Sequence, residues 1–183
     1  LMQDNTVQIT GTGALIIKAT RGQTDGPAIQ TFGSSVLSTN SGNLTIEGYA
    51  GTGTGSGNRG IEIKAQISSV NGNIFLKGTG GGSGSSTDNQ GIFLNHIAGG
   101  IKTTGSGSIT LIGTGGNTTG SANEGIYINS PFIESAAGDV SLTGYSNANS
   151  TPVAVNNTPA RILTAGKTTQ SNADDITEAD TTS

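Results

Sequence analysis

Apolar and polar residues alternate in short bursts along this chain, and each burst ends in glycine. Gly72-Asn73-Ile74-Phe75-Leu76-Lys77-Gly78-Thr79 shows the pattern: a start, four alternating residues, then a glycine exit. The same phrase begins at Gly13, Gly42, Gly107 and Gly138, so starts are separated by about 29, 30, 35 and 31 residues, the spacing of solenoids and repeat arrays. Three strand-like segments recur between starts. In one repeat they are Leu44-Thr45-Ile46, Ile61-Glu62-Ile63 and Gln66-Ile67-Ser68; in the next they are Ile74-Phe75-Leu76, Ile92-Phe93-Leu94 and Ile101-Lys102-Thr103. A period of two inside each segment predicts strands, and frequent glycine argues against helices.

Three short strands per repeat predict an all-β parallel β-helix, a solenoid of about five coils of roughly 30 residues. Residues 1–12 read as an incomplete leading coil, carrying the run Val7-Gln8-Ile9, and residues 13–166 as the repeats. The expected inner stacks are Leu15, Leu44, Ile74, Ile109 and Val140; Ile17, Ile46, Leu76, Leu111 and Leu142; and Ile29, Ile63, Leu94, Ile128 and Val155. Gln30, Lys64, Asn95, Asn129 and Asn156 are expected to share one register and to form a partial stacked amide ladder there. Gly/Ser/Thr/Asn loops of variable length join the first and second strands of each coil. After Gly166 the pattern gives way to a polar run, so 167–183 reads as a C-terminal tail docked on its own coils or on a neighbouring copy.

Composition narrows the function. The 183 residues include 31 glycines, no Cys and no Trp, and only 11% are charged. Without cysteine there is no disulfide framework, thiol nucleophile or thiolate metal site. A net charge of −4 with eight Lys and Arg does not supply the basic patch that nucleic acid or an anionic membrane surface requires. No apolar run reaches the length of a membrane-spanning helix. The start Leu1-Met2-Gln3-Asp4 lacks a basic leader, as expected of a mature chain or a piece of a longer one.

Catalytic constellations are thin. The single histidine, His96, falls in a turn with no carboxylate at an equivalent position. Glycan cleavage needs carboxylates converging on one face. Asp25, Glu47, Glu62, Asp88, Glu124, Glu134 and Asp139 instead fall on different strands and loops. Lys18, Glu47 and Lys77 share one register with alternating sign, which predicts an exterior charge ladder. Gly81-Gly82-Ser83-Gly84 approaches a calcium-binding repeat but has Ser86 where aspartate is needed, and Asp174, Asp175 and Glu178 form an acidic cluster in the tail without a frame. No enzyme activity, metal or cofactor is expected. The candidate partner surface is aromatic: Phe75, Phe93, Tyr127, Tyr49 and Tyr145, placed outward by the alternation.

The Gly-x-[Ile/Leu/Val]-x-[Leu/Ile] phrases resemble the β-helical repeat region of filamentous-haemagglutinin-type bacterial surface adhesins, over residues 7 to about 166. The resemblance implies a non-catalytic, secreted or cell-surface structural or adhesive role. Its implied partners are neighbouring copies or flanking repeats, and a glycan or cell-surface receptor. End-to-end self-assembly is a close variant. A polysaccharide-binding or polysaccharide-cleaving β-helix is the alternative.

Overall fold

A computed structural model of the chain describes residues 2–3, 6–95, 100–129, 132–147, 149–156, 161–164 and 168–171. Among them there is no helix; there are eighteen strands in three parallel sheets of six. The first sheet holds β3 (Leu15–Thr20), β6 (Leu44–Tyr49), β9 (Ile74–Thr79), β12 (Ile109–Thr114), β15 (Val140–Tyr145) and β18 (Thr168–Ser171), stacked in that order. The second holds β1 (Met2–Gln3), β4 (Ile29–Phe32), β7 (Ile61–Ile63), β10 (Ile92–Asn95), β13 (Ile126–Asn129) and β16 (Val153–Asn156). The third holds β2 (Thr6–Ile9), β5 (Val36–Thr39), β8 (Gln66–Ser69), β11 (Ile101–Thr103), β14 (Phe132–Ser135) and β17 (Arg161–Thr164). Each strand pairs with its counterpart one coil away. The chain is a parallel β-solenoid with three strands per turn.

Alternation decides which side chains go inside. In β6, β9 and β12 every second residue is buried, and Leu44, Ile46, Ile74, Leu76, Ile109 and Leu111 are wholly inaccessible. The first two expected stacks stand as predicted, with Leu15 level with Leu44, Ile74, Ile109 and Val140, and Ile17 level with Ile46, Leu76, Leu111 and Leu142. Each such side chain removed from water contributes about 1.5–3 kcal/mol before entropy is set against it. A repeating core of branched aliphatics of similar size fills without voids.

The third expected stack is corrected by two residues. Ile29 is level with Ile61, Ile92, Ile126 and Val153, not with Ile63. The next inward residue of β4 is Thr31, which is buried. Its hydroxyl oxygen accepts the backbone N–H groups of Lys64 and Ala65, both at 3.0 Å. A polar residue takes a core position here because the turn after β7 needs an acceptor.

Glycine closes the corner that follows β6, β9, β12 and β15 for a steric reason. Gly78 is the fifth residue of β9 and faces inward, where a Cβ would lie 2.0 Å from the carbonyl oxygen of Gly91. Gly48, Gly113 and Gly144 meet the oxygens of Gly60, Gly125 and Pro152 at 2.2, 2.0 and 2.0 Å in the same way. The ladder also runs past the last apolar phrase: β18, made of Thr-Thr-Gln-Ser, pairs with Val140–Thr143 and completes the sixth strand of the first sheet.

Candidate functional site

The five aromatic residues do not form one surface. Phe93 and Tyr127 are level on adjacent coils of the second sheet, and their rings stack 5.3 Å apart at 21°. Phe75, Tyr49 and Tyr145 stand on the outer face of the first sheet. Tyr49 and Tyr145 share one column but are separated by Thr79 and Thr114, and Phe75 lies in another column between Thr45 and Thr110. Tyr145 is the most open of the five, 51% exposed, while the others are half-buried. His96, Asp174, Asp175 and Glu178 lie outside the described residues.

Around Phe93 the second sheet carries a polar column. The Arg59 guanidinium lies over the Phe93 ring, 4.2 Å from its centre, so Arg59, Phe93 and Tyr127 stack along the solenoid axis. Stacking occupies ring faces on each other and on the cation. Arg59 Nε donates to Gln90 Oε1 at 2.8 Å, and Gln90 Nε2 donates to Glu124 Oε2 at 3.0 Å. Glu62, almost fully buried, is gripped from three sides: by the Gln30 amide at 3.0 Å, by Arg59 at 3.3 Å and by Lys64 at 3.0 Å. The ammonium of Lys64 also lies 5.2 Å from the centre of the Phe32 ring.

The expected side-chain ladder changes accordingly. Gln30 is level with Glu62, not with Lys64. Asn95, Asn129 and Asn156 do share a register, and the Asn129 amide donates to Asn95 Oδ1 at 2.9 Å. A second, fully buried asparagine ladder lies within the Gly-rich loops. Asn58 Nδ2 donates to Asn89 Oδ1 at 3.1 Å, and Asn89 Nδ2 to Asn123 Oδ1 at 2.9 Å. Sequence reasoning missed it, although its signal is the recurring phrase Asn-x-Gly-Ile at Asn58, Asn89 and Asn123. Those loops are therefore stacked elements tied coil to coil.

The charge ladder at Lys18, Glu47 and Lys77 is in register. Lys18 Nζ lies 2.9 Å from Glu47 Oε1. The hydrogen bond from Lys18 holds the Glu47 carboxyl below its ordinary value; partial burial pushes the other way, and the Lys18 charge, the Tyr49 hydroxyl and Lys77 add smaller downward contributions. Among the acids, Glu47, Glu62, Glu124 and Glu134 each stand in a different column, and Glu134 is level with Lys102. The third sheet bears a shallow groove of about 400 Å³ over Ser38 and Ser68, with Gln8 and Lys102 toward its ends. Among the described residues no group of three His, Asp or Glu converges as a metal site, and no helix is long and apolar enough to cross a membrane.

No family model, no curated protein and no solved structure matches this chain.

Proposed function

We propose that this chain is a non-catalytic, extracellular structural and adhesive repeat module of a bacterial surface protein or filament. The observation that supports it best is the continuity of three parallel sheets through six strands each, with no break in register between coils. At about 4.8 Å per coil the described strands span about 24 Å along the axis. Repeats of this kind extend a rod by nearest-neighbour stacking. The rod presents the outer faces of three sheets, bearing hydroxyl, amide and aromatic side chains. Three of its described acids are held in ladders: Glu62 by Arg59 and Lys64, Glu47 by Lys18, and Glu124 by Gln90. A carboxylate tied into such pairs is poorly placed to serve as a general acid.

Two measurements test the reading. Antibodies raised against the purified chain should label intact source cells; labelling only after permeabilisation would overturn the extracellular assignment. The chain should be retained on immobilised polysaccharides or cell layers without releasing new reducing ends. Release that disappears in Glu62→Gln or Glu124→Gln would establish the cleaving alternative instead.

A further inference from the structure

The groove on the outer face of the third sheet is built on side chains that the fold leaves uncommitted. Gln8, Ser38, Ser68 and Lys102 stand level on β2, β5, β8 and β11, four successive coils. At about 4.8 Å per coil the column runs about 14 Å along the solenoid axis. Serine makes it concave. On the same face Ser38 is flanked along its strand by Val36 and Asn40, and Ser68 by Gln66 and Val70, all larger side chains. The hollow between them is about 400 Å³, within the size range of ligand sites.

Polar groups in this column are free to meet a ligand. Among the described residues the side chains of Gln8, Ser38, Ser68 and Lys102 make no hydrogen bond or ion pair. The second sheet is the contrast: there Arg59, Gln90 and Glu124 are bonded in a chain, and Gln30 is bonded to Glu62. Lys102 is the only charged residue lining the groove. Glu134 is level with it one coil on, outside the groove, and no ion pair joins the two.

The chemistry of the lining selects the ligand. The groove lies on a sheet face, where the main-chain groups of β5 and β8 are spent in ladders on both sides, so an extended peptide cannot add there as a strand. No aromatic ring lines it, and its apolar side chains are few. What it offers is two hydroxyls and an amide, each able to donate and to accept, and one ammonium. Such a set suits a polyhydroxylated chain that carries a carboxylate. A single cation on a molecule of net charge −4 accepts an occasional acid and disfavours a densely charged polymer.

We propose that this groove binds a sparsely carboxylated polysaccharide laid along the solenoid axis. Gln8, Ser38 and Ser68 take up its sugar hydroxyls, and Lys102 pairs with one carboxylate through a charge-assisted hydrogen bond. The inference rests on the adhesive reading above and deepens it by naming the ligand class and the face that holds it.

Isothermal titration of the full 183-residue chain with hyaluronan oligosaccharides, which alternate a uronate with a neutral sugar, tests the proposal. Binding should be measurable at low salt and weaken as salt is added. Reducing the uronate carboxyls to alcohols should weaken it about tenfold, and so should Lys102→Ala. Ser68→Leu fills the floor of the groove from an outward position and should abolish binding with an unchanged melting temperature. Ser38→Leu repeats that test should Ser68→Leu unfold the chain. Glu134→Gln removes the neighbouring negative charge and should tighten binding. No binding of the hyaluronan oligosaccharides, equal binding of their carboxyl-reduced form, equal binding of poly-glutamate, or affinity unmoved by Lys102→Ala and the leucine variants would each overturn the groove assignment. Surface labelling and retention on neutral polysaccharides or cell layers are measured separately, so a chain that still adheres there leaves the adhesive reading standing.

Discussion

Asn58 and Asn89 lie one above the other in successive loops, the amide of the first donating to the Oδ1 of the second at 3.1 Å. The same Oδ1 accepts the Asn58 backbone N–H at 3.1 Å, while the Asn89 amide donates to Asn123 Oδ1 and to Ser86 Oγ. Both donors and both acceptor directions of Asn89 are therefore used, in a site closed to water. Asn89→Asp replaces a donor with an acceptor facing Asn123 Oδ1 and buries a charge without a cation. We expect a loss of about 3 kcal/mol, read from urea unfolding. Asn129→Asp, in the half-exposed ladder, should cost about 1 kcal/mol or less. Equal losses at the two sites would contradict a special role for the buried ladder.

The residue before each ladder asparagine has a left-handed backbone: Gly57 at φ 81°, Asp88 at 60° and Ala122 at 57°. Only the first is a glycine. Ala122 holds this conformation against a steric cost of about 1 kcal/mol or more; glycine would relieve that cost, but its greater freedom when unfolded takes back part of the gain. Ala122→Gly should therefore raise stability by about 0.5 kcal/mol. A lowered melting temperature would show that the alanine methyl makes contacts worth more than the strain.

Gly78→Ala tests the corner packing. The new methyl would overlap the Gly91 carbonyl, a backbone atom shared by two paired coils, so relief requires moving a ladder. We expect a loss of about 3 kcal/mol, or failure to accumulate folded protein. Ala19 occupies the equivalent position of the first coil, and Ala19→Gly should cost no more than about 1 kcal/mol. A benign Gly78→Ala would mean that the corner is looser than its geometry indicates.

Glu47 gives a pH prediction. Its folded-state pKa is lowered, chiefly by the Lys18 hydrogen bond, so the unfolded chain binds this proton more readily. The associated stability is present above the ordinary carboxylate pKa and is lost as pH falls through the lowered folded value. In Lys18→Ala the Glu47 titration should move up toward the ordinary value, followed by carboxyl NMR. The stability gap between parent and variant should narrow in acid. A titration unmoved by the substitution would assign the shift to Tyr49 and Lys77 instead.

The architecture was legible because a solenoid writes itself in local repeats. Strand, turn and inward face recur every thirty or so residues, and the columns through Leu44 and Ile46 could be aligned by eye. Legibility failed where a polar side chain does the work of an apolar one. Thr31 is buried because two turn N–H groups need its oxygen, and counting apolar residues alone shifted Ile29 by two. It failed again in the loops, whose unequal lengths concealed the stacking of Asn58, Asn89 and Asn123. The aromatic surface was legible residue by residue but not as a surface, since alternation says which way a side chain points and not which sheet it stands on.

The sequence by itself determined the period, the three strands per coil and the two inward columns of the first sheet, because these follow from spacing between neighbours in the chain. Only the tertiary structure decided what touches across coils. The parting of Phe75 from Phe93, the grip of three partners on Glu62 and the buried asparagine ladder all depend on the register between segments thirty residues apart. That register is set by turn chemistry and by backbone groups seeking partners, neither of which shows in a pattern of hydrophobic and polar letters.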